Sequence, residues 1–300
     1  MLTHQNLTGI FAATPTLMRD DGQVDMAANR QLSDMLIAQG ISGLVPLGGT
    51  GEYGSLGTAE RLRLVEAVIS QTAARVPVIP GVLSTGYEEA RDTVRRYGEL
   101  GADAAMVVTP YYTNPTQEGL YRYFHELADA SPIPIVLYEI PYRTRIAIAP
   151  EITARLSRHE RIIGMKACNL DMYAFLKNAA TVDDSFSILS GEDTLFPLHV
   201  AAGARGGILA TANLMPRVWQ RIFELARGRD LASALALHRD LIPAIDLLFS
   251  ETNPGPMKAV LDLIGIEAPG IRCPLEPAGA GLQARVRAEI LRVRERYETA

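Results

Sequence analysis

Ile162-Ile163-Gly164-Met165-Lys166-Ala167-Cys168 reads as one short buried β-strand, an apolar run between the polar Arg158–Arg161 segment and the polar Asn169–Asp171 turn. A lysine inside such a run is out of place, because burying an ammonium is costly unless it is paired or neutralised. Lysine is also scarce in this chain: only Lys166, Lys177 and Lys258 occur among 29 basic residues. Strand alternation puts Lys166, Gly164 and Cys168 on one face, with Met165 and Ala167 on the other. Two readings stand at this point. A lysine at the end of an edge strand packs its stem and keeps its head in water. A desolvated amine with a lowered pKa can instead form a Schiff base with a carbonyl compound.

Outward from this strand, apolar runs and amphipathic helices alternate. The strands read as Gly9–Leu17, Gly43–Gly48, Pro77–Val82, Ala104–Pro110, Ile133–Pro141, Ile162–Cys168, Phe186–Gly191 and Gly206–Asn213. Helical spacing joins Leu32, Met35, Leu36 and Gln39, then Leu62, Val65, Ile69 and Thr72, and later Val218, Ile222 and Leu225. Gln39-Gly40-Ile41, Leu100-Gly101-Ala102 and Ala202-Gly203-Ala204 place glycine where a helix gives way to the next strand, the expected left-handed cap. Continuous rather than alternating apolar strands imply a parallel sheet covered on both faces. Eight βα units in this length fit a closed (β/α)8 TIM barrel, typically about 250 residues, with an open doubly wound sheet as the competitor. After Arg227 the strands stop. Leu231–Phe249, Pro256–Ile264 and Leu282–Tyr297 read as helices, separated by Pro- and Gly-rich joints. The expected division is residues 1–228 for the barrel and 229–300 for a C-terminal helical region.

Three hundred residues, 48% hydrophobic, are ample for one large core. A net charge of -5 gives no electrostatic reason to expect nucleic acid or an anionic membrane as partner. No apolar run approaches the length that spans a bilayer, and the N-terminus has no signal-peptide pattern. Cys168 and Cys273 make no disulfide framework or metal spacing, which suits a reducing cytoplasm. The five histidines are scattered, without paired spacing, so no metal site is expected.

A barrel carries its chemistry at the C-terminal ends of its strands. After the second strand, Gly48-Gly49-Thr50-Gly51-Glu52-Tyr53-Gly54 offers free N–H groups and a hydroxyl suited to a carboxylate or phosphate. It also matches a dinucleotide fingerprint. That match is weak, because no helix begins directly after it and the next strand ends at Val82-Leu83 without an acid for a ribose. Thr109-Pro110-Tyr111-Tyr112 and Tyr138-Glu139-Ile140-Pro141-Tyr142-Arg143 end the fourth and fifth strands. Tyrosines ordinarily sit at such rims with polar tips outward. An arginine facing a pocket there could grip a carboxylate with two hydrogen bonds. Ser190-Gly191-Glu192-Asp193 ends the seventh strand with two acids, which otherwise suit a helix start. Cys168 reads as a small packing residue, with no histidine nearby in sequence to activate it.

Together these strand ends resemble the dihydrodipicolinate synthase / N-acetylneuraminate lyase family of pyruvate-dependent class I aldolases, from about Leu7 through Asn253-Pro254-Gly255-Pro256. The resemblance rests on the spacing from Gly-Gly-Thr-Gly-Glu through Tyr-x-x-Pro to Gly-x-Lys. It implies that Lys166 is the Schiff-base lysine and Tyr138 the proton-shuttling tyrosine. It implies that Thr50 and the Gly49 amide hold the carboxylate of pyruvate, and that Tyr112 is donated into a neighbouring subunit's site. Gly191 and Ile208 then line the pocket, and Arg143 resembles the synthase arginine that takes the second substrate's carboxylate. Glu192, beside Gly191, joins the expected substrate-binding set. No metal or organic cofactor is implied, and a homo-oligomer, dimer or tetramer, is.

Some positions depart from the family pattern. Gly49-Thr50 stands where synthases usually carry two threonines, so one hydroxyl of the proton relay is missing. Glu139 stands where Asn is common, and Ala167-Cys168-Asn169 replaces the usual residues after the lysine. Tyr53, Thr58, Arg61 and Thr85 sit at positions of the lysine-feedback site, where only Glu89 and Tyr111 match. The reading is a dihydrodipicolinate synthase-like lyase condensing pyruvate, or another 2-keto acid, with a small aldehyde such as aspartate semialdehyde. The alternative is a 2-keto-3-deoxy sugar-acid aldolase or dehydratase, motivated by Gly49 and Glu139 as changes to the pocket. A catalytically silent small-acid binding protein is the reading from another class.

Overall fold

In the computed structural model, which describes residues 2–298, eight short parallel strands curl into a barrel. They are β1 (Gly9–Ala12), β2 (Gly43–Leu44), β3 (Gly81–Val82), β4 (Ala105–Val108), β5 (Ile135–Glu139), β6 (Ile162–Ala167), β7 (Ser187–Ser190) and β8 (Gly206–Leu209). The hydrogen-bonded order is β2-β1-β8-β7-β6-β5-β4-β3. A parallel bridge between Leu44 and Val78 joins the two ends of that order and closes the ring. All eight expected strands are present but shorter, because residues such as Ala13, Leu17, Val45 and Ile140 are buried in turns beyond the ladders.

Two cores explain the continuous apolar runs. Inside the barrel, Leu7, Phe11, Met106, Val136, Leu189 and Ile208 fill the ring. Outside it, alternate residues of the same strands, among them Val107, Leu137, Met165 and Ile188, pack under the helices. Each strand is thus buried on both faces, as a parallel sheet requires. The helices end as their glycines predict. Gly40, Gly101 and Gly203 are left-handed (φ +82°, +88° and +110°). The next amide in each case donates five residues back, Ile41 to Leu36, Ala102 to Tyr97 and Ala204 to His199.

Among the described residues no strand follows β8. The helix Leu231–Phe249 packs on both Pro216–Arg227 and Ala280–Tyr297. The Glu298 carboxylate accepts the amides of Arg217 (3.2 Å) and Val218 (3.0 Å), tying the last turn of the chain to the start of a barrel helix. The helix expected over 256–264 is two pieces, Gly255–Lys258 and a tighter turn over Leu261–Ile264, with Val260 outside helical geometry between them. No described helix is long and apolar enough to cross a membrane.

Candidate active site

Lys166 lies on a central strand, not at an edge, and is 7% exposed. Its register partners are Tyr138 on β5 and Leu189 on β7, so the lysine and the tyrosine project side by side into the barrel mouth. Lys166 Nζ is 4.7 Å from the centroid of the Tyr138 ring. Among the described residues Lys166 makes no hydrogen bond or ion pair. Burial pushes the Tyr138 phenol well above its ordinary value, so it stays protonated and can give or relay a proton.

Both residues line a cavity of about 760 Å³ at the C-terminal mouth of the barrel, with Gly49, Thr50, Arg143, Gly191, Glu192 and Ile208. Gly191 leaves space that no side chain could share. A Cβ there would lie 2.1 Å from Cys168 Sγ and 2.8 Å from Lys166 Cε. A Cβ at Gly49 would lie 3.2 Å from Arg143 Nη1, so the bare glycine is where the guanidinium comes to rest. The Thr50 loop is a tight turn braced from several sides. Leu47 and Glu52 are left-handed, and Thr16 Oγ1 donates to the Gly51 carbonyl at 2.6 Å. The Glu52 carboxylate, fully buried, pairs with the Lys258 ammonium and accepts the Arg272 amide at 3.2 Å.

The two acids after β7 part ways. Asp193 is a brace: it accepts the amide (3.0 Å) and hydroxyl of Thr211, and its carbonyl accepts from His238 Nε2 at 2.8 Å. Glu192 faces the cavity, and its Oε1 is buried without a partner among the described residues. Burial raises its carboxyl to about 7, with the Asp193 charge adding to the rise and Lys166 opposing it. Cys168 lines the same cavity, but its thiol is buried, donates to the Gly191 carbonyl (3.3 Å) and is pushed up to about 12, which leaves it inert.

Two further readings are corrected, those of Glu139 and of the histidines. Glu139 does not enter the pocket. It pairs in register with the outward-facing Ala167 and accepts the Ile148 amide at 2.9 Å beneath the helix layer. Tyr112 is outside the cavity, left-handed and 89% exposed. His125 and His159 are not scattered in space, since each lies 3.1 Å from a different oxygen of Asp129. His159 Nδ1 accepts the Arg161 amide at 3.1 Å, so its Nε2 holds the proton toward Asp129 and has no lone pair for a metal. Missed altogether was the wall built by Ile245, Asp246 and the segment Phe249–Asn253. The polar run Ser250-Glu251-Thr252-Asn253 after a long apolar helix was the available signal.

A closed parallel barrel whose mouth holds an unpaired buried amine beside a buried phenol defines a class, the barrel enzymes that work on carbonyl compounds through a lysine. The profile of the Dihydrodipicolinate synthetase family matches residues 6–292, and the chain belongs to that family. Its members are pyruvate-dependent class I aldolase-type lyases that bind pyruvate as a Schiff base on lysine, without a metal or other cofactor. The 4-hydroxy-tetrahydrodipicolinate synthase of Acidiphilium cryptum (strain JF-5) is 39% identical over 280 residues, 93% of this chain and 96% of its own. That of Anaeromyxobacter sp. (strain K) is 39% identical over 289 residues, 96% of this chain and 98% of its own. Among solved structures, the chloride-inhibited dihydrodipicolinate synthase from Acinetobacter baumannii complexed with pyruvate superposes with a TM-score of 0.92 at 31% identity, covering 96% of this chain and 99% of that one. The Aquifex aeolicus dihydrodipicolinate synthase gives 0.92 at 32% identity, over 95% and 98%.

Proposed function

We propose that this chain condenses pyruvate with an aldehyde that carries a carboxylate, aspartate semialdehyde being the first choice. The observation that carries the reading is the in-register pair Tyr138 and Lys166 at the bottom of a cavity rimmed by Arg143. The Lys166 amine attacks C2 of pyruvate and loss of water gives an iminium. The iminium draws electrons from the neighbouring methyl group, which loses a proton to become an enamine, and the enamine carbon attacks the aldehyde. Tyr138 moves the protons in these steps. Thr50 and the Gly49 amide hold the pyruvate carboxylate, Gly191, Glu192 and Ile208 shape the cavity, and Arg143 takes the second carboxylate. The exposure of Tyr112 supports its serving a second copy of the chain within a homo-oligomer. Two free cysteines support a cytoplasmic setting.

The sugar-acid reading keeps Gly49 and loses Glu139, which does not face the cavity. Borohydride reduction in the presence of pyruvate, read by intact mass, tests the covalent step, and an unmodified Lys166 would end it. Turnover of aspartate semialdehyde against a panel of 2-keto-3-deoxy sugar acids tests the second substrate. A preference for the sugar acids would reverse the choice.

A further inference from the structure

The Thr50 hydroxyl does not stand alone. Asn253 Nδ2 donates to Thr50 Oγ1 at 2.9 Å, across 203 residues of sequence, and both residues are buried where they line the cavity. A hydroxyl has one proton to give and lone pairs to receive. With one lone pair taken by the asparagine amide, Thr50 keeps its proton and one lone pair, and of these only the proton can serve an acceptor in the cavity. A carboxylate only accepts hydrogen bonds, so this is the polarity its pocket requires. The same C-terminal stretch grips the other end of the loop, where the Lys258 ammonium pairs with Glu52 and donates to the Gly270 carbonyl at 2.6 Å.

We propose that Asn253 is a positioning residue for substrate: by donating to Thr50 it fixes that hydroxyl as a hydrogen-bond donor toward the carboxylate of the 2-keto acid. The inference rests on the reading of Thr50 given above and adds to it a residue outside the strand-end motifs. Asn253 touches no reacting atom and acts through Thr50 alone.

The test compares the full-length protein with Asn253→Asp, Asn253→Ala, Thr50→Val and the Asn253→Ala/Thr50→Val double variant. The half-saturating pyruvate concentration is read in two ways, by borohydride trapping on Lys166 and by the thermal shift that pyruvate confers. Asn253→Asp keeps size and shape but can only accept, so it takes the Thr50 proton and adds a negative charge. It is expected to raise half-saturation more than tenfold. Asn253→Ala is expected to raise it several-fold, and the double variant to be no worse than Thr50→Val, since the asparagine acts through that hydroxyl. Wild-type half-saturation in Asn253→Asp would overturn the proposal, as would penalties that multiply in the double variant. A lowered melting temperature with unchanged half-saturation would reduce Asn253 to a structural residue and overturn it equally. If the wild type shows a pyruvate thermal shift but no trapped adduct, the Schiff-base reading fails and the shift alone decides on Asn253. If pyruvate does neither, both fall.

Discussion

Tyr138 and Lys166 face each other across the β5–β6 ladder, each the other's register partner, with the lysine nitrogen 4.7 Å from the phenol ring. The ladder fixes their separation more firmly than a loop could. Tyr138→Phe keeps the ring and removes the relay. It is expected to slow formation of the trapped pyruvate adduct about a hundredfold or more, within the usual range for a general acid–base group. Lys166→Arg is expected to abolish the adduct, because an always-protonated guanidinium cannot attack a carbonyl. Time-resolved trapping by intact mass checks both, and an adduct surviving in Lys166→Arg would mean that another amine reacts.

Gly191→Ala tests how closely the lysine stem is packed. The added methyl would lie 2.1 Å from Cys168 Sγ and 2.8 Å from Lys166 Cε, far inside van der Waals contact. The adduct yield is expected to fall at least about tenfold, the stem being pushed off its productive geometry. Adding Cys168→Ala relieves the sulfur and leaves the lysine contact, so trapping is expected to stay low. Full recovery in the double variant would assign the effect to the sulfur alone.

Much of this was legible in the chain because burial leaves a mark on sequence. Lysine within Ile162–Cys168 is conspicuous, and the eight apolar runs could only be strands covered on both faces. Strand ends were overdrawn, since segments such as Ala13–Leu17 are buried as fully as the ladders they follow. The side taken by Glu139 follows from alternation once Tyr138 is placed inward. The polar run ending at Asn253 marked a rim segment, but the role of Asn253 was not legible, because it comes from Thr50, 203 positions away. The same holds for Lys258, whose partner Glu52 lies far away in the sequence.

Arg143 is exposed at the cavity rim, and among the described residues its guanidinium makes no ion pair or hydrogen bond. A free fork of donors suits an incoming carboxylate. Arg143→Ala is expected to raise KM for the carboxylate-bearing aldehyde roughly ten- to a hundredfold, the loss of one charge-assisted pair. Half-saturation by pyruvate should stay at its wild-type value. Arg143→Lys is expected to recover little, since an ammonium cannot make the two parallel bonds. Equal losses for both substrates would show that Arg143 holds the cavity together.

Lys258 and Glu52 form an ion pair out of contact with water, and burial lowers the lysine's affinity for its proton. Removing one partner leaves the other charge stranded. Lys258→Met is expected to cost about 3–5 kcal/mol in urea unfolding. Because Glu52 closes the Thr50 turn, half-saturating pyruvate should rise as well. Glu52→Gln with Lys258→Met removes both charges and is expected to regain most of the stability. Equal stability of the single and double variants would mean that the pair carries no net electrostatic burden.

Glu139 offers a pH signature unrelated to catalysis. Its Oε1 accepts the Ile148 amide, its Oε2 has no partner among the described residues, and burial raises the carboxyl from 4.5 to about 7. A carboxyl that holds its proton more tightly when folded favours the fold at low pH. That contribution is fully present below about pH 4.5 and is lost as pH rises through about 7, a span of about 3 kcal/mol. Glutamine has no such proton to lose. Between about pH 5 and about pH 7.5, Glu139→Gln is therefore expected to lose less stability than the wild type, measured as the urea midpoint at each pH. Glu192, also raised to about 7, keeps part of the slope in both proteins, so the difference between them is the quantity to read. Parallel curves would place the titrating proton on another group.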